Sequence, residues 1–137
     1  MIGIVIVTHG RLGEALIDAS GFILGKIPEA IVSVSINLNE NADQLRTKIS
    51  KGIKRVDQKV GILILTDMFG GTPSNLSYSF LEEGRVEVIS GVNLPILIKA
   101  SETRKDLPLD KLAQALEAYG KKSITLASGI LKGNKRS

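Results

Sequence analysis

The feature that most constrains the fold is an alternation. Short, β-branched apolar runs trade places with stretches of helical periodicity from the first residues onward. Residues 2–7, Ile-Gly-Ile-Val-Ile-Val, are a continuous apolar run of the kind expected for a strand buried on both faces. Over 12–24 the apolar residues Leu12, Ala15, Leu16, Ala19 and Ile23 recur at helical spacing, and Gly25 with Pro28 ends the pattern. Residues 31–36 alternate apolar residues with Ser and predict a second strand. Asn39 or Asn41 supplies an N-cap for a helix to about Val56, with Leu45, Ile49, Ile53 and Val56 facing inward. Residues 60–65 are the most hydrophobic strand. A Gly-Gly-Thr-Pro turn then opens a helix expected from Pro73 to about Glu83, since proline is favoured at the first helical position. A fourth strand is expected over 86–90, and Asn93-Leu94-Pro95 begins a short helix. An amphipathic helix over 109–119, closed by Gly120, precedes a fifth strand over 124–127. This order is that of an α/β layered domain with a mainly parallel sheet.

At 137 residues one domain is expected, over 1–130, with a basic tail at 131–137. The net charge of +4 invites a nucleic-acid reading, but its distribution opposes one. Residues 1–120 carry 13 Lys and Arg against 14 Asp and Glu, whereas 121–137 carry five basic residues and no acid. Aromatics make up 4% of the chain, too few for a base-stacking surface. There is no Cys, which excludes thiolate metal sites and cysteine nucleophiles. The N-terminus lacks the basic region and cleavage site of a secretory signal, and no stretch approaches the ~18 apolar residues of a membrane span. A soluble, cytoplasmic protein without membrane insertion is expected.

In open α/β sheets, ligands sit beyond the carboxyl ends of the strands. Two loops there carry groups suited to chemistry. Thr8-His9-Gly10 places the chain's single histidine directly after the first strand. One histidine does not make a zinc site, because a tetrahedral site needs several ligands; no metal or organic cofactor is expected. The second loop is Thr66-Asp67-Met68-Phe69-Gly70-Gly71-Thr72-Pro73-Ser74-Asn75. In a flavodoxin-like, three-layer order 2-1-3-4, strands one and three are neighbours, so Asp67 and His9 come within hydrogen-bonding reach. A carboxylate accepting from one ring nitrogen fixes the tautomer and leaves the other free as a nucleophile. Gly70, Gly71 and Thr72 lead into a helix, where their N–H groups and the Thr72 hydroxyl suit an anion such as phosphate. Arg11 stands at the mouth of this crevice. Met68 and Phe69, apolar at a loop tip, suit either partner docking or packing beneath the loop. The phosphate-loop, dinucleotide-fold and serine-elbow motifs are absent.

Ile4-Val5-Ile6-Val7-Thr8-His9-Gly10, Asp67 through Asn75 and Gly91-Val92-Asn93-Leu94-Pro95 together resemble the mannose-family IIA component of the bacterial phosphotransferase system. The resemblance spans essentially the whole chain. It implies a phosphocarrier that takes a phosphoryl group from the carrier HPr on His9, with Asp67 orienting the ring and Gly70, Gly71 and Thr72 holding phosphate. The group would then pass to a IIB component that phosphorylates the sugar. It also implies a homodimer that exchanges a carboxyl-terminal strand, for which 124–127 is the candidate. Thr72 stands where the family often has Ser, which keeps the hydroxyl. The chain stops without a fused IIB domain, so a separate IIB chain is expected. Three other readings stay open: a regulatory phosphoprotein switched at His9, a phosphodonor subunit for a dihydroxyacetone kinase, and a flavin or nucleotide binder. The sugar is not readable from these residues.

Overall fold

The computed structural model describes residues 1–132. The elements follow as β1 (Gly3–His9), α1 (Leu12–Leu24), β2 (Ile31–Ile36), α2 (Ala42–Val56), β3 (Ile62–Thr66), α3 (Thr72–Tyr78), β4 (Val86–Ser90), α4 (Leu94–Thr103), α5 (Leu109–Lys122) and α6 (Ala127–Leu131). The four strands form one sheet in the order β2-β1-β3-β4, and every pairing is parallel. Each crossover therefore needs a helix, which the sequence supplies after each of the first three strands.

Alternate side chains of the central strands point to opposite faces, so each face gathers its own core. Ile4, Ile6, Leu63 and Leu65 pack with Ile96, Leu97, Ala100, Leu112 and Leu116 of α4 and α5. Val5, Val7, Ile62 and Ile64 pack on the other face with Leu45, Ile49 and Val56 of α2 and Leu76 of α3. Three layers result. The start of α2 is fixed by a capping box, in which Asn41 accepts from the Gln44 N–H at 2.8 Å and Gln44 accepts from the Asn41 N–H at 2.9 Å.

Several local expectations are corrected. In α1 the buried positions are Gly13, Ser20 and Gly21, while Leu12, Phe22 and Ile23 face outward. Small residues let this helix lie close on the sheet: a Cβ on Gly13 would stand 3.2 Å from the Ser33 Cβ and 3.3 Å from Ile6 Cγ2. β3 starts at Ile62 because Asp57 accepts from the Lys59 N–H at 2.8 Å and Gly61 turns at φ +121°, which leaves Val60 exposed. α3 ends at Tyr78, where Ser79, Phe80 and Leu81 each bond the carbonyl three residues back and unwind the last turn. α5 runs through Gly120 to Lys122. Gly120 is there for close approach, since a Cβ would stand 2.4 Å from Ile96 Cδ1. Residues 124–126 join no strand of the sheet, and Ala127 instead opens α6. A strand forms only where a neighbouring edge takes up its N–H and C=O groups, and this segment pairs with neither edge of the sheet, β2 or β4. Of the basic tail expected over 131–137, residues 133–137 lie outside the described residues. Among the described residues no helix is long and apolar enough to cross a membrane.

Candidate functional site

His9 is the last residue of β1, the strand flanked on both sides by β2 and β3. The residues before it, from Ile2 to Thr8, are buried; the imidazole emerges with 46% of its side chain exposed. Thr8 prepares that exit. Its fully buried hydroxyl accepts from the Gly13 N–H at 2.9 Å and ties the first turn of α1 to the end of β1. Gly10 turns at φ +52°, a conformation costly for a residue with a Cβ, and its N–H returns to the Ile36 carbonyl at 3.2 Å.

Asp67 follows directly on β3 and reaches across to the neighbouring strand. Its Oδ2 accepts from the His9 main-chain N–H at 2.9 Å and lies 2.8 Å from His9 Nδ1; its Oδ1 accepts from the Met68 N–H at 2.9 Å. Burial alone pushes this carboxyl up. The His9 N–H, the His9 ring and the Met68 N–H together outweigh that effect and hold it below its ordinary value. An ionised carboxylate only accepts, so Nδ1 carries the ring proton and Nε2 presents its lone pair.

The glycine loop lies against that free nitrogen. A Cβ built on Gly71 would stand 3.0 Å from His9 Cε1 and 3.6 Å from Nε2, so only glycine lets the loop approach the ring this closely. Gly70 turns at φ +84° with open space around it, and the Asn75 amide holds its carbonyl at 3.4 Å. No acceptor among the described residues takes the N–H of Gly70, Gly71 or Thr72. These donors are unpaired in the loop that packs on the ring, and free main-chain amides of this kind suit a phosphoryl group. α3 spans only seven residues, so the local amides matter here more than a long helix dipole.

The other candidates separate. Arg11 is 88% exposed and its guanidinium turns back to Glu14 at 3.1 Å, so it stays at the rim without meeting His9. Met68 and Phe69 are exposed at 56% and 79%, which removes core packing as their role, although the Phe69 ring lies 6.3 Å from that of Tyr78. Among the described residues no three His, Asp or Glu side chains gather as metal ligands. Sequence reasoning did not find the hydroxyls of Thr66, Ser74, Tyr78 and Ser90, which meet beneath the loop. Serines at strand ends and first helical turns are too common to stand out.

Residues 3–117 match the family model EIIA-man, described as PTS system fructose IIA component. The chain is 34% identical over 133 residues to the PTS system fructose-specific EIIA component of Bacillus subtilis, covering 96% of this chain and 90% of that protein. It is 33% identical over 125 residues to the PTS system mannose-specific EIIAB component of Escherichia coli K12, covering 90% of this chain but only 38% of that longer protein. Among solved structures, phosphotransferase system component EIIA from Streptococcus agalactiae superposes with a TM-score of 0.83 at 26% identity, over 93% of this chain and 98% of that one.

Proposed function

The chain belongs to the EIIA-man family of phosphotransferase-system IIA components, and from that membership we propose that it is a cytoplasmic phosphocarrier acting through His9. The observation that carries the reading is the division of labour on one ring. Nδ1 is held by Asp67 at 2.8 Å, while Nε2 faces the glycine loop. The Nε2 lone pair attacks phosphorus in line. A new N–P bond forms as the bond from phosphorus to the donor's nitrogen breaks, and the donor imidazole leaves with that electron pair. The Nδ1 proton stays on the ring, where the carboxylate offsets the positive charge that N-phosphorylation creates. The free amides of Gly70, Gly71 and Thr72, with the Thr72 hydroxyl, hold the equatorial oxygens, and positioning supplies most of the rate. Both bonds are to imidazole nitrogen, which keeps the step reversible.

The donor is HPr and the acceptor a IIB component; Met68 and Phe69 serve as exposed apolar contacts for both, with Arg11 at the rim. The active form is a homodimer in which the segment 124–127 of each copy pairs with the other's β4. Three features support this: β4 ends the sheet with one side unpaired, a groove of about 560 Å³ runs past Val88, Ser90, Asn93 and Glu117, and Leu126 and Leu131 are largely exposed.

Labelling from phosphoenolpyruvate through enzyme I and HPr tests the reading. Wild type takes up an acid-labile, base-stable phosphate; His9→Ala takes up none; Asp67→Ala labels about a hundredfold more slowly, within the range for losing an oriented catalytic group. Equal labelling of His9→Ala overturns the assignment. A label that no purified IIB component discharges points instead to a regulatory phosphoprotein.

A further inference from the structure

Beneath the loop after β3 lies a cluster of hydroxyls that the transfer chemistry does not use. Thr66 and Ser74 are fully buried, and their oxygens lie 2.6 Å apart. Thr66 donates to Ser90 at 2.9 Å, Ser74 and Ser90 lie 3.0 Å apart, and the Tyr78 hydroxyl reaches Ser90 at 2.9 Å. Burying a hydroxyl costs stability unless it is bonded, and apolar side chains would fill the same space more cheaply. The cluster therefore needs a reason, and its hydrogen bond into the loop supplies one: Ser74 donates to the Met68 carbonyl at 2.5 Å.

A carbonyl only accepts, so the single Ser74 proton is committed to Met68, and the Ser74 oxygen can only accept from its neighbours. The Thr66 proton goes to Ser90, so the polarity of the cluster runs from Thr66 and Tyr78 through Ser90 and Ser74 into the loop. Met68 is held from both sides, its N–H by Asp67 Oδ1 at 2.9 Å and its C=O by Ser74. That residue joins the two parts of the site: Asp67, which holds Nδ1, precedes it, and Gly71, which packs on the ring near Nε2, lies three residues on.

We propose that Ser74 is a positioning residue for the phosphoryl acceptor, holding the 67–71 loop through the Met68 carbonyl so that the carboxylate and Gly71 keep their places on the two sides of the imidazole. The claim rests on the reading of His9 as the acceptor. Ser74 touches neither the ring nor the phosphate; it acts through the loop. Ser90 supports it by donating to its oxygen, and Thr66 by donating to Ser90.

Ser74→Thr and Ser74→Val isolate the hydroxyl, because the two variants share a shape and differ by one O–H. At equal folded fraction, the Val variant is expected to label at His9 about tenfold more slowly than the Thr variant, the size of effect expected when a buried acceptor loses its donor. Nitrogen-15 spectra of the unphosphorylated proteins should show the ring proton on Nδ1 in wild type and Ser74→Thr, and a mixture of tautomers in Ser74→Val. A general loss of stability would slow labelling without moving the ring-nitrogen shifts. Equal rates and equal shifts for Thr and Val overturn the proposal. Should neither variant fold, Thr66→Val removes one supporting hydroxyl at constant shape; a two- to threefold slowing, roughly, with the same tautomer change supports the proposal, and no change in either overturns it. The spectra need no phosphoryl donor. An unlabelled wild type therefore sinks the phosphocarrier reading alone, and the ring-nitrogen shifts still decide the role of Ser74.

Discussion

The two ends of the sheet each hold a nitrogen base by hydrogen bonds, and they do so in opposite ways. At the carboxyl ends, the His9 ring is 46% exposed and one carboxylate holds it. At the amino ends, Arg104 is 4% exposed, and its guanidinium donates to the carbonyls of Ile2 at 3.3 Å, Ala30 at 3.1 Å and Glu29. Burial draws this guanidinium below its ordinary value, with the Glu29 carboxylate opposing the effect through space. Among the described residues Arg104 Nε has no partner. Ala30, whose carbonyl Arg104 grips, sits at φ +52°, an uncommon backbone for a residue with a Cβ. The difference teaches where a fold can bury charge. A permanent cation can be enclosed because carbonyl dipoles replace its water. A ring proposed to gain and release a phosphoryl group keeps one face open.

The largest effect should come from the enclosed end. Arg104→Met takes a donor from three carbonyls at the entry to β1 and β2, of which Ala30 keeps the Ile4 N–H at 3.0 Å, and urea unfolding should show a loss of about 2–4 kcal/mol. The labelling rate of the folded fraction should stay at wild type; a slower rate would break the separation of the two ends. Next come the two loop glycines, which sharpen the picture at the open end. Gly71→Ala pushes a methyl group against the ring and should slow labelling about tenfold with little change in stability. Gly70→Ala meets no atom but strains a backbone at φ +84°, and should cost about 1 kcal/mol by the same unfolding assay. The smallest effect separates the ends by pH. Because the folded Asp67 carboxyl lies below its ordinary value, its contribution is complete above about pH 4 and fades as pH falls through that lower folded value. Wild type should exceed Asp67→Asn by under about 1 kcal/mol at pH 6, and the gap should close in acid. The Arg104→Met deficit should change less across that window, since main-chain carbonyls hold Arg104 and the Glu29 carboxylate acts on it only through space.

Much of this was legible in the residues themselves. The strands at 31–36 and 86–90 stand as the patterns predict, the run 2–7 forms most of a strand that extends on to His9, and Asn41, one of the two caps expected, starts α2, because each rests on local chemistry: β-branched runs, alternation and a side-chain oxygen aimed at free N–H groups. The meeting of His9 and Asp67 was legible once the strand order was inferred, since adjacent parallel strands bring their ends together. Other features needed three dimensions. The outward apolar stripe of α1 follows from how closely Gly13 and Gly21 let the helix approach, which periodicity does not report. Gly120 reads as a helix stop in sequence, and only the position of Ile96 reveals that it is a contact. The Arg104 clamp joins residues 102 positions apart and has no signature along the chain.

The carboxylate of Asp67 grips His9 twice, once through the ring and once through the main chain, across 58 residues of sequence. The proposed acceptor is thus brought together by the same strand pairing that assembles the centre of the domain. Phosphate uptake by a refolding sample would then serve as a clock for the whole sheet, rising in step with recovery of its slowest-exchanging amides.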